Sequence, residues 1–180
     1  MRNVVGNRKD QTMKRDDFYA ILDEMNSIHE AGHAVITYVL DAGFIDVMIN
    51  DPADERWGIG RSLRCGAVNT KDELTIILAG AGAELMHMQS QQLGSTWSER
   101  FRSAARKDWK EAQNHIQFLS ILQHTTRRLI TKEAKNTTLA LLKDNWKLVL
   151  DVARLLREKR VVTNADIAAI EVAQEVGTAA

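Results

Sequence analysis

The sequence predicts a mainly α-helical fold with one small β-hairpin or edge sheet. Proline occurs once in the 180 residues and glycine ten times, so long helices meet few interruptions. Apolar residues recur at spacings of three and four along most of the chain, as in amphipathic helices. One short region, within residues 44–68, instead shows the alternation and turn residues that are typical of paired strands.

The first predicted helix carries a long apolar stripe and is expected to end near Gly43, the residue type favoured at a helix C-terminus. Residues 1–16 are charged and have little apolar surface, which predicts a flexible N-terminal arm. No repeat or linker divides the rest, so residues 17–180 are expected to form a single domain. The stripe consists of Phe18, Ile21, Leu22, Met25, Ile28, Gly32, Ile36 and Val39.

Two strands are predicted after this helix. The stretch "FIDVMIND" places Ile45, Val47 and Ile49 on one face, "PADERWG" is turn-like, and "IGRSLRCGAV" supplies the second strand.

Four more helices are predicted beyond the strands. One begins near Lys71 and contains the small-residue run "AGAGAE", which indicates that another helix packs closely against it. The connector "GSTWSERFRSAARKD" is expected to hold at most a short helical turn after Ser98. Helices are then expected at residues 108–128 and 132–159, and the pattern "TNAD" has the form of a capping box that opens a last helix.

Charge and composition exclude several classes of partner. Basic and acidic residues balance at 24 each, so the net charge favours binding neither to nucleic acid nor to an anionic membrane. The single cysteine, Cys65, cannot form an internal disulfide, which suits a reducing compartment. No apolar run approaches the roughly 18 residues of a membrane span. We therefore expect a cytoplasmic protein.

The stretch "SIHEAGHAVITY" carries the strongest functional signal. His29 and His33 stand four residues apart, so a helix projects both from one face, in line with the apolar stripe. Glu30 follows the first histidine, where its carboxylate can accept a proton from water. This is the H-E-x-x-H pattern of zinc peptidases, which predicts Zn²⁺ binding.

Catalytic zinc usually takes a third protein ligand and keeps one position open. The position six residues past His33 is Val39, so the extended motif with a third histidine is absent. Asp108 faces inward near a helix start, and Glu84 is a plausible partner of a histidine ligand or an alternative ligand. His115 lies about 10 Å along the helix from Asp108, so the two cannot share one zinc. The full set of candidates is Glu84, His87, Asp108, His115 and His124.

These residues resemble a known family. "HEAGHAVITYVLDAGFIDVMIND" is similar to the start of the protease domain of FtsH-type AAA+ zinc metalloproteases, whose signature is HEAGHA. "ELTIILAGAGAELM" resembles that family's next helix, and "ARKDWKEAQNHI" resembles the segment with its aspartate ligand. "LLKDNWKLVLDVARLLREKRVVTNADIAAI" resembles its C-terminal helices, so the similarity covers roughly residues 26–170.

The resemblance implies a helical zinc-peptidase domain with its small β-element near the active site. It implies His29, His33 and Asp108 as zinc ligands and Glu30 as the catalytic base. A strand at residues 45–49 would pair with an extended polypeptide substrate. The expected activity is that of a zinc-dependent metalloendopeptidase acting on unfolded or flexible polypeptides.

The sequence departs from the family in three places. It contains no G-x-x-x-x-G-K-[ST] loop for ATP and no transmembrane anchor, and "SAARK" replaces the small, polar residues that precede the aspartate. We therefore expect ATP-independent cleavage by the chain alone, an unfoldase supplied in trans where one is needed, and self-association into a homo-oligomer. The alternative is a non-catalytic, zinc-stabilised helical interaction module; an ordinary helical bundle without metal is the third interpretation.

Overall fold

The computed structural model describes residues 15–50, 60–93, 95, 96, 99 and 105–178. Residues 1–14 of the predicted flexible arm, the turn at residues 52–58 and most of the predicted connector lie outside these ranges, and residues 15 and 16 of the arm belong to the first helix. The mainly helical class with a small sheet is confirmed. No helix in the described ranges is long and apolar enough to span a membrane. The elements are α1 (Arg15–Val39), β1 (Phe44–Ile49), β2 (Gly60–Arg64), α2 (Thr70–Ser90), α3 (Arg106–Leu122), α4 (Arg127–Asp144), α5 (Trp146–Lys159), β3 (Val161–Thr163) and α6 (Asn164–Thr178).

A two-bond capping motif ends α1. Asp41 has a left-handed backbone, with φ of 50°. Its N–H donates to the carbonyl of Tyr38, and the N–H of Ala42 donates to that of Thr37, both at 3.0 Å. The prediction that Gly43 caps this helix is therefore wrong. Asp41 takes that role because a short polar side chain tolerates the left-handed region, and Gly43 instead leads into β1.

The three strands form one antiparallel sheet in the order β2-β1-β3. The predicted pairing of the first two strands is confirmed, and β3 is an addition to it. A β-bulge between Phe44 and Asp46 interrupts the alternation of β1. Val47 and Ile49 are therefore buried while Ile45 is 41% exposed, so the prediction that all three share one face is wrong.

The helical breaks differ from the predicted ones. The helix expected at residues 108–128 ends at Leu122, and Thr126 caps the next helix by accepting a hydrogen bond from the N–H of Leu129. The continuous helix expected at residues 132–159 is divided at Asn145 into α4 and α5. The Asn145 amide donates to the carbonyl of Leu141 at 2.9 Å, which satisfies a group at the end of α4.

The predicted capping box of the last helix is confirmed. The N–H of Thr163 donates to Oδ2 of Asp166 at 2.9 Å, and the N–H of Asp166 faces the Thr163 hydroxyl at 3.3 Å. The backbone bond from Thr163, together with the ammonium of Lys159, lowers the pKa of Asp166 to about 2.

Helix α2 lies between two apolar clusters. Ile76, Ala79 and Ala83 belong to the cluster formed with α1, the sheet and α5. Leu74, Ile77, Leu78 and Ala81 belong to the cluster formed with α3 and α4. A helix that is apolar on all sides is buried on all sides, so α2 fixes the positions of α1 and α3 relative to each other.

The backbones of α1 and α2 approach closely at Gly32. A Cβ atom at this position would lie 2.6 Å from the carbonyl oxygen of Ala79 and 2.7 Å from Cβ of Ala83. Neither atom is the end of a flexible side chain, so neither can move without moving the helix. The prediction that the run of small residues lies at a helix contact is confirmed.

We predict that Gly32→Ala lowers the free energy of unfolding by about 1–3 kcal/mol, because the added methyl group overpacks the helix contact. Alanine is intrinsically favoured over glycine in a helix by about 1 kcal/mol. A net loss of stability would therefore come from the steric conflict and not from helix propensity. Denaturant unfolding of the metal-free protein measures it. Ala140→Leu, at an exposed position of α4, is the control; a Gly32→Ala protein as stable as wild type would contradict the packing argument.

Candidate metal centre

The orientation of the His33 ring is set by the backbone of α2. Its Nδ1 lies 2.8 Å from the carbonyl oxygen of Ile76. Because a carbonyl oxygen only accepts hydrogen bonds, Nδ1 must carry the proton. In the neutral ring the lone pair is therefore on Nε2, which is left free to bind a metal ion.

The His29 ring is held in the same way by a side chain of α2. Its Nδ1 lies 2.7 Å from Oε1 of Glu84, whose carboxylate is almost fully buried. The Nδ1 proton is thus directed to the carboxylate and Nε2 points in the opposite direction. A histidine whose second ring nitrogen donates to a carboxylate or carbonyl is the usual arrangement of a metal ligand.

Asp108, in the first turn of α3, brings a carboxylate oxygen to these two nitrogens. Its Oδ2 lies 3.0 Å from Nε2 of His29 and 3.5 Å from Nε2 of His33, and the two nitrogens are 3.1 Å apart. Ligands of a tetrahedral zinc at about 2.0–2.1 Å are separated by about 3.3 Å. The triangle of donor atoms therefore has the size of a zinc site.

Gly80 of α2 lies against both donor nitrogens. A Cβ atom at this position would lie 2.5 Å from Nε2 of His33 and 2.6 Å from Nε2 of His29. Any side chain here would occupy the space beside the donor atoms. The glycine therefore keeps that space free.

Strong electrostatic coupling links the donors in the metal-free protein. Burial opposes protonation of His29, but hydrogen bonds to Asp108 and Glu84 outweigh it and raise the histidine's pKa to about 10. Burial acts on Asp108 in the direction of protonation, but its bonds to the two histidines hold its pKa well below the usual range. The aspartate is therefore ionised at neutral pH, as a metal ligand must be.

Glu30 lies in the same cleft as the three donors and is buried. Burial raises the pKa of its carboxyl, and the neighbouring His33 and His29 act in the opposite direction. The cleft has a volume of about 230 Å³, and its walls include His29, Glu30, His33, Gly60, Ser62 and Asp108.

The remaining sequence candidates lie elsewhere. Nε2 of His87 pairs with Oε1 of Glu24 at 3.0 Å, at the end of α2 away from the three donors. His124 is exposed just beyond α3. Glu84 contacts the side of the His29 ring opposite the donor nitrogen, which is the position of a ligand's partner rather than of a ligand.

His115 belongs to a second group of possible donors with Glu73 and Glu111. Glu73 already pairs with the guanidinium of Arg64, and Glu111 is exposed. A bound cation would have to compete with Arg64 for Glu73. The arrangement therefore favours the group around His29 as the metal site.

Sequence reasoning missed two parts of the centre and one side of the cleft around it. The carbonyl of Ile76 carries no sequence signal, because every residue has one. Gly80 had a signal, the small-residue run, but that run was interpreted only as a helix contact. The contribution of Gly60 and Ser62 to the cleft depends on strand pairing, which the motif does not reveal.

No protein-family model matches this sequence, and a comparison with curated proteins finds no match. The similarity to the FtsH-type peptidase domain therefore stays an expectation from the residues quoted above.

We predict that Zn²⁺ binding at pH 7 releases about one proton from His29. With a pKa of about 10, this ring is protonated in the metal-free protein and must become neutral to bind metal. Lowering the pH therefore weakens binding, by about tenfold per unit for one competing proton. Titration calorimetry in buffers of different ionisation enthalpy counts the proton.

The His87→Gln protein is the control, since its imidazole lies outside the donor group and its loss should leave the proton count unchanged. Zinc binding without proton release at pH 7 would show that His29 is neutral before the metal arrives.

Proposed function

We propose that this protein is a zinc-dependent metalloendopeptidase of the FtsH type that hydrolyses peptide bonds in unfolded or flexible polypeptides. The observation that supports this most strongly is the convergence of His29, His33 and Asp108 at the spacing of a zinc site. A buried glutamate lies in the same cleft, where a peptidase needs a base.

The donor set suits zinc in both chemistry and charge. Two imidazole nitrogens and one carboxylate oxygen are the ligand types of catalytic zinc sites. The Nδ1 atoms of the two histidine rings are hydrogen-bonded to the carboxylate of Glu84 and the carbonyl of Ile76. The group contains three donors within the described residues, and the cleft opens onto them. Three donors and an accessible face favour a catalytic site over a structural site, which usually has four.

The residues of the cleft have distinct roles in this proposal. When bound, zinc would polarise the peptide carbonyl and make water acidic enough to deprotonate near neutral pH. Glu30 accepts the proton of the attacking water and then donates it to the leaving amine. The raised pKa of Glu30 brings it closer to neutral pH, where a group can both accept and return a proton. Glu84 keeps His29 in the tautomer that presents Nε2.

The strand beside an extended substrate is β2 in this proposal. The expectation that β1 pairs with substrate is wrong, because β1 is the central strand, bonded to β2 on one side and β3 on the other. In the described sheet β2 is an edge strand, and Gly60, Arg61, Ser62 and Arg64 line the cleft. An edge strand has unpaired backbone groups that can bond a polypeptide backbone with little dependence on its side chains.

The expected substrates are flexible because pairing with an edge strand requires an extended, accessible backbone. Opening a folded domain costs about 5–15 kcal/mol, which binding of one extended segment does not readily supply. An unfoldase in trans would extend the substrate range. That partner and a homo-oligomer stay predictions.

We predict about one zinc per chain, and that Asp108→Ala weakens binding by more than about 100-fold. This exceeds the usual effect of removing a ligand's hydrogen-bond partner, because the ion loses its one anionic ligand in the group. Metal analysis after dialysis and competition with a chromophoric chelator measure the effect. Asp72→Ala is the matched control, since Asp72 also lies in the first turn of a helix but outside the donor group. Full zinc occupancy in Asp108→Ala would contradict Asp108 as a ligand and make Glu84 the candidate third ligand.

We predict that Glu30→Gln keeps zinc and fold but lowers peptidase activity by about 10²–10⁴-fold, because glutamine fills the same volume and cannot accept a proton. The assay is degradation of a casein-type unfolded protein, with added zinc and with a chelator. Glu24→Gln, on the same helix outside the cleft, is the control.

Peptidase activity in Glu30→Gln equal to that of wild type would exclude Glu30 as the general base. A zinc-binding wild type that cleaves no unfolded substrate would support the non-catalytic module instead.

A further inference from the structure

Strand β2 runs along the part of the cleft that contains the proposed base. A Cβ atom at Gly60 would overlap the carboxyl group of Glu30, so the backbone of β2 touches that side chain directly. Ser62, two residues further, lines the cleft on the same face of the strand, because side chains alternate along a strand. Its cross-strand neighbour on β1 is the buried Val47, and this places Ser62 on the inner face of the sheet.

The hydroxyl of Ser62 is the unusual feature of this face. Its oxygen is buried, yet it has no hydrogen-bond partner in the part of the chain that the structure describes. The neighbouring hydroxyl in the cleft, that of Thr37, donates to the carbonyl of His33 at 2.7 Å. Buried polar groups are nearly always paired, and an unpaired one destabilises the fold. Nothing in the described part of the cleft reaches the oxygen in this rotamer, but turning the hydroxyl toward the cleft that Ser62 lines would break no hydrogen bond.

We propose that Ser62 is a substrate-binding residue whose hydroxyl turns toward the cleft and donates a hydrogen bond to a main-chain carbonyl of the bound polypeptide, next to the scissile bond. This inference rests on the proposed function. The bond lies near the reacting carbonyl because Gly60, on the same strand face, touches Glu30. A main-chain carbonyl is an uncharged acceptor that every polypeptide offers, which fits a small hydroxyl beside an edge strand.

The test compares peptide affinity in an inactive background. Zinc-loaded Glu30→Gln and Glu30→Gln/Ser62→Ala proteins are titrated into a fluorescein-labelled, unstructured casein-derived peptide, and anisotropy gives each Kd. Loss of one neutral hydrogen bond should raise the Kd about 2- to 12-fold. The Ser62→Ala change should not lower the melting temperature, because it removes an unpaired buried hydroxyl rather than a bond.

Ser120→Ala is the matched control, since the Ser120 hydroxyl already donates to the carbonyl of Gln117 at 2.8 Å on α3. It should leave peptide affinity unchanged. An unchanged Kd in the Ser62→Ala protein would overturn the inference and mean that the hydroxyl stays buried when peptide binds. A Kd increase accompanied by a lower melting temperature would also overturn it, in favour of a structural role.

The two proposals fail differently. Peptide binding by Glu30→Gln that is insensitive to Ser62, together with cleavage by wild type, would remove only the Ser62 inference. Absence of both peptide binding and cleavage by the zinc-loaded protein would remove the proposed function and the inference with it.

Discussion

The close approach of α1 and α2 determines the geometry of the candidate centre. Gly32 and Ala79 let the two backbones come near enough for the Ile76 carbonyl to reach Nδ1 of His33 at 2.8 Å. The same contact brings Glu84 to the ring of His29. A larger residue at Gly32 would separate the helices, and both histidines would lose the partners that fix their tautomers. Packing of small residues thus controls chemistry at the neighbouring side chains.

The third donor depends on the opposite face of α2. Ala112, Ile116 and Leu119 of α3 pack against this face together with Ala105, the residue just before that helix. This contact holds the first turn of α3, and with it Asp108, next to the two histidines. Since α2 contacts α1 on one side and α3 on the other, one buried helix positions every donor of the group. Apart from Gly32, the residues that place the donors lie outside the H-E-x-x-H motif.

The sequence allowed the local features to be predicted, because they depend on short-range periodicity. The spacing of His29 and His33 and the capping box at Thr163 are examples. The divided helix at Asn145 was missed because apolar periodicity continues across it. The exposure of Ile45 was missed because a β-bulge depends on the partner strand. β3 has three residues, too few to give a periodic signal, and its presence makes β1 the central strand of the described sheet.

The pKa values of two of the carboxyl groups that line the cleft, those of Glu30 and Asp108, are shifted in opposite directions. Burial dominates at Glu30 and raises its pKa, whereas hydrogen bonds to the histidines dominate at Asp108 and lower its pKa. When neighbouring acids are separated in this way, the one with the lower pKa stays an anion and the one with the higher pKa can carry a proton. Asp108 suits a permanent ligand and Glu30 a group that accepts and returns a proton. Exchanging these roles would require Asp108 to lose its two imidazole partners, which the packing of α2 against both neighbouring helices prevents.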